Sequence, residues 1–333
     1  MKKVNYLVPI LVVVFIAFFS CEKDDDGVIV IPPRDRGEES VASQIEIEEY
    51  LETHFYNYEE FENPTPDFNF QILIDTIAGD NASKTPLIDQ VDSKIVTDIL
   101  DSTVTYKLYY LSAIQGEGDE IEFPDVSILS FSGHLLSNGD LIDASVSPVR
   151  FDLTQIIDGL QSAIIEFRGA TNITQNADGT LGFEDYGVGA VFIPSGVGYF
   201  ASPPPGSNIS SYSQLMFTFQ LYNVEKGDQD GDGIISIIED LDDSGFEGND
   251  DTDGDLIPNF ADVDDDGDGR LTEHEIELKQ YTINPGDSDP VMVNDEIEMY
   301  REIDDDTGEI TIYTVILEDK NEDGIPDYLD DEI

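Results

Sequence analysis

The chain has 333 residues, a formal net charge of −58 and no tryptophan. This length is enough for one to three domains. The acidity excludes nucleic acids and anionic lipid surfaces as partners, because like charges repel, and it favours the binding of divalent cations. The charge is uneven, since acidic residues far outnumber basic ones from Glu225 onward. We expect this part of the chain to expand when cations are removed.

The first twenty residues have the composition of a signal peptide. Lys2 and Lys3 precede an apolar run from Tyr6 to Phe19, which is too short to cross a membrane comfortably. Cys21 follows and is the only cysteine, so the chain forms no internal disulfide. A single cysteine here resembles a bacterial lipobox, and the acidic residues after it resemble the surface-export signal of Bacteroidetes lipoproteins. The resemblance implies a lipid on Cys21 and an outer-membrane lipoprotein, periplasmic or surface-exposed; a free thiol in an uncleaved anchor is the alternative.

A polar tether and then a helix are predicted after the leader. Residues 21–42 are polar and contain proline and glycine, which discourage regular structure. Residues 43–61 are predicted to be helical, because Ser43 and Glu46 form a capping box and apolar residues recur at helical spacing. This apolar stripe predicts a face that docks onto the next domain. Its members are Ile47, Tyr50, Leu51, His54, Phe55, Tyr58 and Phe61.

Alternating apolar and polar residues predict a series of strands in the middle of the chain. One short helix is predicted over residues 156–167, and residues 171–185 have no clear period and are predicted to be a loop insertion. Many strands around one helix indicate an α+β fold, in which an antiparallel sheet wraps on a short helix. We divide this region into an N-terminal helix and strand segment, 43–103, and a domain, 104–225. The predicted strands are 68–77, 104–111, 126–136, 149–153, 189–194 and 215–224.

Four segments of this domain occur in an informative order. They read SFSGHLLSNGDLIDAS from Ser130, PVRFDLTQIIDGL from Pro148, AVFIPSGVGYF from Ala190 and ISSYSQLMFTFQLYNVE from Ile209. In this order they resemble the FKBP-type peptidyl-prolyl cis-trans isomerases. That family has a Tyr-Thr-Gly strand, a hairpin ending in Phe-Asp, a Val-Ile-x-Gly-Trp helix start, an Ile-Pro-x-x-x-x-Tyr-Gly turn and a final strand rich in Leu, Val and Phe. The resemblance covers about a third of the chain.

The resemblance implies rotation about X-Pro peptide bonds, a reaction that breaks no bond and needs no nucleophile and no cofactor. It also implies a pocket in which Phe151 and Phe217 are walls and Tyr199 supplies a hydroxyl to a substrate carbonyl. The expected partners are proline-containing unfolded or exported proteins. The remaining implied positions are the rim residues Ile156 and Ile157, with the Ile157 N–H as a donor, the polar-edge residue Asp143, Ile209 on the covering loop, and Phe131, Ile142 and Leu160.

Several residues depart from the family's pattern. Phe131 stands where the family usually has Tyr, Ile142 where it has Phe, and Leu160 where it has the Trp of the pocket floor. Ser210 and Ser211 replace a proline pair in the covering loop. The pocket is therefore apolar but less aromatic. Two alternatives remain beside the isomerase: a non-catalytic chaperone that binds prolyl peptides, and a calcium-stiffened surface structural protein that uses the fold as a scaffold.

Two acidic stretches fit a twelve-residue calcium loop of the EF-hand type, residues 228–239 and 264–275. Each has oxygen-bearing side chains at loop positions 1, 3, 5, 9 and 12 and a glycine at position 6, as a shell of six to eight oxygens requires. The alternative is a solvated acidic linker. With position 7 contributing a backbone carbonyl, the predicted Ca2+ ligands are Asp228, Asp230, Asp232, Ile234, Ser236 and Glu239, and Asp264, Asp266, Asp268, Arg270, Thr272 and Glu275.

Two further stretches, 251–269 and 319–331, resemble thrombospondin type 3 calcium repeats. They combine aspartate clusters with an Ile-Pro step, and repeats with so little apolar content are held together by their ions. Residues 226–333 are therefore predicted to be acidic repeats with structural Ca2+. Residues 276–317 interrupt them, with a strand predicted over 310–317. The resemblance implies the ligands Asp251, Asp253, Asp255, Asp319, Asn321, Asp323 and Asp330.

Overall fold

The computed structural model describes residues 32–242, 247–293, 296–304 and 307–333. Residues from Arg34 to Ile333 form one compact unit. The predicted signal peptide, Cys21 and most of the predicted tether lie outside the described residues. None of the helices in the described ranges is long and apolar enough to cross a membrane.

The N-terminal helix differs from its prediction at both ends. Helix α1 (Arg36–Thr53) begins inside the predicted tether, because the Asp35 carboxylate accepts a hydrogen bond from the Glu38 N–H at 2.9 Å and caps the helix there. It ends at Thr53 and not at residue 61, because the following backbone is extended and pairs in a small sheet. The elements after it are strand β1 (His54–Tyr56), helix α2 (Tyr58–Glu62) and strand β2 (Ile74–Thr76).

A six-stranded antiparallel sheet forms the centre of the compact unit, with strand order β3-β4-β9-β10-β5-β6. The predicted helix over 156–167 is shorter in the structure, because the backbone of Ile156 and Ile157 is extended and the helix ends at Ile164. In chain order the elements are β3 (Asp92–Thr97), β4 (Thr105–Ile114), β5 (Val126–Leu135), β6 (Leu141–Asp152), α3 (Asp158–Ile164), β7 (Asn172–Gln175), β8 (Leu181–Glu184), β9 (Gly187–Ile193) and β10 (Leu215–Glu225).

The predicted loop insertion over 171–185 is wrong, because β7 and β8 form a hairpin. The Asn176 N–H donates a hydrogen bond to the Thr180 carbonyl at 2.8 Å and closes the turn of this hairpin. Gly179 adopts a φ of 87° in the turn. The Phe183 ring stacks on Tyr222 with the centroids 4.3 Å apart. The strands are only four residues long, so their alternation gave too weak a signal in the sequence.

The central sheet carries one apolar core on each face. On one face α3 buries Leu160 and Ile164 and packs against β4 and β9. On the other face α1 buries Ile47 and Leu51 against the residues of β4 and β9 whose side chains point away from α3. The part of the predicted stripe that lies on α1, Ile47, Tyr50 and Leu51, therefore docks onto the sheet as predicted, and the two cores define an α+β fold of antiparallel strands.

A three-stranded antiparallel sheet interrupts the acidic C-terminal part, with strand order β11-β13-β12. Its strand β13 has the predicted bounds. Tyr300 and Tyr313 stack across it with ring centroids 4.5 Å apart. The three strands are β11 (Ile276–Ile283), β12 (Glu296–Ile303) and β13 (Ile310–Leu317).

Candidate functional site

The predicted pocket residues lie together on the α3 side of the central sheet. Leu160 and Phe217 are buried in the core there, and Asp143 lies on exposed β6. The others are partly exposed and pack against the edge of the same core, so that an apolar surface is half open to solvent. These partly exposed residues are Phe131, Ile142, Phe151, Ile156, Ile157, Tyr199 and Ile209.

Three phenylalanine rings form one side of this surface. The Phe131 ring lies 4.9 Å from Phe151 and 6.3 Å from Phe217, measured between centroids. Gly133 stands opposite Phe217 in the neighbouring strand, and a β-carbon added at Gly133 would lie only 2.4 Å from the Phe217 ring. The Phe217 ring can therefore lie over β5 only because residue 133 is glycine. This residue was not predicted, although a glycine inside a strand is a signal of close approach.

Two hydrogen-bond donors stand beside the apolar surface. The Tyr199 hydroxyl forms no hydrogen bond within the described ranges, and burial together with the nearby Asp143 carboxylate raises its pKa, so it stays protonated at neutral pH. Ile157 precedes α3 with φ −66° and ψ 140°, and its N–H likewise has no acceptor among the described residues. Half-buried donors without partners favour a ligand with carbonyl oxygens.

A buried carboxylate fixes the segment that carries Tyr199. Asp98 is buried and accepts hydrogen bonds from the Tyr106 hydroxyl at 2.9 Å and from the Arg36 guanidinium. Burial alone would raise the pKa of Asp98, but the donated hydrogen bonds lower it. Arg36 also reaches the carbonyl of Gly196 at 3.5 Å, so α1 is joined to the turn that leads to Tyr199. Asp98 was not predicted from the sequence.

The acidic part contains four loops with one hydrogen-bond pattern, residues 228–239, 251–262, 264–275 and 319–330. In each loop the residues at positions 2 and 9 bond to each other through their side chains. The Ser236 and Thr272 hydroxyls, predicted to bind metal, are therefore directed at position 2 of their own loops. The four bonded pairs are Gln229 with Ser236, Thr252 with Asn259, Asp265 with Thr272, and Lys320 with Asp327.

Left-handed backbone at positions 4 and 6 turns each loop. It brings together the carboxylates at positions 1, 3 and 5 in the first three loops, whose ligand oxygens lie within 4.8 Å of one another. In the fourth loop, Asn321 donates to Asp323 at 3.2 Å and to Asp330 at 2.9 Å, and Asp319 accepts from the Gly324 N–H. The residues with positive φ are Gly231 and Gly233, Gly254 and Leu256, Gly267 and Gly269, and Glu322 and Gly324.

Several of these carboxylates are buried without partners. Both oxygens of Glu239 are enclosed and accept no hydrogen bond among the residues described, and the same holds for one oxygen of Glu275. Burial, and then the neighbouring carboxylates, raise the pKa of Glu239 to about 10 and that of Glu275 to about 7. Buried anions without counter-charges are costly, so this donor set of hard oxygens fits a hard divalent cation. The other buried oxygens without partners belong to Asp230, Asp232, Asp250, Asp265 and Asp266.

A carboxylate group between the first and second loops was not predicted. Asp240, Asp242 and Asp250 have ligand oxygens within 4.8 Å of one another, between the first and second loops. The aspartates at 240 and 242 are two residues apart, as in the other loops, but the third member comes from farther along the chain. Such a set has no fixed spacing that a motif could detect.

A family model described as BamM C-terminal matches residues 229–294, about a fifth of the chain. The match spans the first three loops and continues past β11. None of the curated protein sequences matches this chain.

Solved structures of peptidyl-prolyl isomerases and immunophilins are similar to the chain at low scores. The isomerase from Pseudomonas syringae pv. tomato is 15% identical, covers 59% of this chain and 100% of its own, and has a TM-score of 0.34. FkpA from Escherichia coli is 22% identical over 39% of this chain and 51% of its own, with a TM-score of 0.29. A multi-domain immunophilin from Arabidopsis thaliana is 12% identical over 41% and 47%, with a TM-score of 0.30. The chain thus spans about half the length of the last two proteins. Its fold is assigned from its own strand order and packing.

Proposed function

We propose that the apolar surface beside α3 binds prolyl peptides and that the chain is an FKBP-type peptidyl-prolyl cis-trans isomerase carrying calcium-binding repeats. The observation that supports this proposal is the pair of donors without partners, the Tyr199 hydroxyl and the Ile157 N–H, at the edge of a half-open apolar cluster. A proline ring needs an apolar surface, and the carbonyls on either side of it need donors.

The geometry supports catalysis by positioning and by removal of water. The barrier to X-Pro rotation arises from the double-bond character of the planar amide, about 18–20 kcal/mol. Water stabilises the charge-separated form of that amide, so a proline held against Phe131, Phe151 and Phe217 would lose part of this stabilisation and twist more readily. Tyr199 and Ile157 would hold the flanking carbonyls while the bond rotates. No covalent chemistry is required.

Calcium is the cation that best fits the repeats. Each loop offers many carboxylate oxygens, and several of them are partly buried. Such a donor set suits the large and flexible oxygen shell of Ca2+ better than the small octahedral shell of Mg2+. The role of the ion is structural, since the repeats contain few apolar residues that could hold them together.

We further propose that Cys21 is lipidated and tethers the chain to the bacterial outer membrane, facing the periplasm or the cell surface. The leader and the single cysteine support this location. The clients are proline-containing unfolded or exported proteins. A net charge of −58 disfavours nucleic acids as partners.

A peptide titration tests the pocket assignment. The unit Arg34–Ile333 is compact by itself and is titrated with a Leu-Pro peptide, beside Tyr199→Phe and Tyr186→Phe. Tyr186 is the matched control, because it lies on the opposite face of the sheet. Loss of the Tyr199 hydrogen bond should weaken binding by about 0.5–1.5 kcal/mol. The control should bind like the parent, and equal affinities for all three proteins would refute the pocket.

A non-catalytic prolyl-peptide chaperone is the second candidate. The buried Leu160 occupies the floor position where the family has tryptophan, so a bound proline would have less aromatic surface beneath it. If the Leu-Pro peptide binds, and binds more weakly to Tyr199→Phe, but isomerisation is not accelerated, the chaperone is the correct candidate.

A further inference from the structure

The first and third loops meet at a group of carboxylates that belongs to neither loop alone. Asp232 and Glu239 come from residues 228–239, whereas Asp265 comes from residues 264–275. Ligand oxygens of these three residues lie within 4.8 Å of one another. Asp265 occupies position 2 of its loop, where the calcium-loop pattern has no ligand, so a search by spacing does not find it.

All three side chains are deeply buried, with exposed fractions of 0% for Glu239, 2% for Asp265 and 4% for Asp232. Four of their six carboxylate oxygens accept no hydrogen bond within the described ranges. Enclosed carboxylates cannot coexist as anions at this separation without a positive charge between them.

The basic side chains of this region do not provide that charge. Among the described residues, Lys226 pairs with Asp125 and Glu122, Arg270 with Glu275, and Lys320 with Asp327 and Glu318. None of the ion pairs formed within the described part of the chain involves Asp232, Glu239 or Asp265. Compensation therefore comes from protons, as in the calcium-free protein, or from a cation from solution that replaces them.

The orientation of Asp265 separates its two oxygens by role. One oxygen, Oδ2, accepts the Thr272 hydroxyl at 2.7 Å and so holds the third loop in its own shape. The other, Oδ1, has no partner among the described residues. Position 2 is glutamine, threonine or lysine in the other three loops, so only this loop carries a carboxylate at that place.

Tyr328, in the fourth loop, lies near the same group. Its side chain is almost fully buried, and its pKa is raised by burial and then by the charges of Asp265 and Glu239. The burial of the three carboxylates keeps water away from them, which strengthens their interaction with an ion.

We propose that Asp265 is a ligand of a divalent cation that also binds Asp232 and Glu239, so that one ion joins the first and third loops. This inference rests on the proposed calcium-binding function of the repeats. It assigns a ligand set that spans two loops, and it makes occupancy of the first loop depend on the folding of the third.

The test compares calcium binding by the unit Arg34–Ile333 with that of three variants. Asp265→Asn removes the ligand charge, and Thr272→Val removes the hydrogen bond to Asp265 but leaves its carboxylate. Glu273→Gln removes a neighbouring exposed carboxylate and is the matched control. Bound calcium per chain is measured by equilibrium dialysis, and affinities by titration calorimetry.

Asp265→Asn should weaken one site by at least about tenfold, a loss that even an outer-shell partner of a metal can cause. Thr272→Val should lose less calcium affinity than Asp265→Asn, and Glu273→Gln should bind calcium like the parent. Calcium binding by Asp265→Asn at the parental stoichiometry and affinity would overturn the inference. An equal loss in Thr272→Val would also overturn it, since Asp265 would then only shape its own loop.

A reciprocal measurement covers the case in which Asp265→Asn perturbs its own loop. Glu239→Gln should lower the amide-exchange protection of residues 264–275 in calcium, although it lies in another loop. Unchanged protection there would contradict a shared ion. Absence of calcium binding by the parent unit would instead refute the proposed calcium function itself, so the two failures are distinguishable.

Discussion

The single hydrogen atom of the Gly133 side chain determines where the Phe217 ring lies. Gly133→Ala would place a β-carbon 2.4 Å from that ring, which must then move. Overpacking of this kind costs about 1–3 kcal/mol of stability, and displacement of the ring should also weaken prolyl-peptide binding. Gly169→Ala is the control, because its nearest contact of 3.5 Å is ordinary. Urea unfolding and peptide titration measure the two effects, and parental behaviour of Gly133→Ala would show that Phe217 is not constrained from β5.

Leu256 and Glu322 are the two non-glycine residues with left-handed backbone in the described parts of the four loops, and Leu256 has the larger φ. It adopts φ 82° at position 6 of its loop, where the other three loops have glycine, and it is 89% exposed. Leu256→Gly should therefore stabilise the loop by about 1–2 kcal/mol, the cost of left-handed backbone for an L-residue. Gly324→Ala is the matched inverse, because its added β-carbon meets nothing within 4 Å and only the φ of 96° opposes it. Calcium affinity of the two variants should change in opposite directions; a fall for Leu256→Gly would contradict the strain.

The stability of the acidic repeats should depend on pH when calcium is absent. Burial raises the pKa of Asp230 to about 6 and that of Asp232 to about 7, from an ordinary value of 3.8. A carboxyl group with a raised pKa binds its proton more tightly in the folded loop than in the unfolded chain. Stability without calcium is therefore greatest below about pH 4 for these groups and falls as the pH rises to about 7. Calcium should abolish the decline, because it replaces the protons.

Urea unfolding in EDTA at several pH values, repeated with calcium, measures this dependence. Asp230→Asn with Asp232→Asn should flatten the calcium-free curve, since neither side chain then titrates. Stability of the repeats that rises with pH in EDTA would be incompatible with buried carboxylates of raised pKa.

Long elements with a strong apolar period were predictable from the sequence, and short or edge elements were not. Strands β5, β10 and β13 are buried on at least one face, so alternation set their bounds closely. Strand β6 begins at Leu141, eight residues before its prediction, because it is an exposed edge strand with little alternation.

The candidate sites divide in the same way. The pocket residues came from an ordered resemblance, and the carboxylates of each loop from fixed spacing. Gly133, Asp98 and Asp265 were missed, because their importance depends on neighbours distant in sequence: a ring across the strand, a helix at the N-terminal end and a second loop. Such contacts leave no local pattern.

The first acidic loop, residues 228–239, is attached to the domain that carries the apolar surface. Gln229 donates to the Pro124 carbonyl at 2.7 Å, and Lys226 pairs with the buried Asp125 at 2.9 Å. Asp125 also accepts the Gly227 N–H, at the start of β5. The loop thus follows β10, which holds Phe217, and is bonded to the start of β5, which holds Phe131, so the proposed calcium site would stiffen the chain next to the apolar surface.

Exchange spectroscopy by NMR tests the central claim most directly. Interconversion of the cis and trans forms of a Leu-Pro peptide is measured with and without the unit Arg34–Ile333 in calcium. Uncatalysed exchange takes tens to hundreds of seconds, so even a weak isomerase is detectable. We expect faster exchange with the parent unit, less acceleration with Tyr199→Phe, and parental acceleration with Tyr186→Phe. Exchange at the uncatalysed rate in the presence of a bound peptide would contradict the isomerase, and absence of binding would contradict the prolyl-peptide site as well.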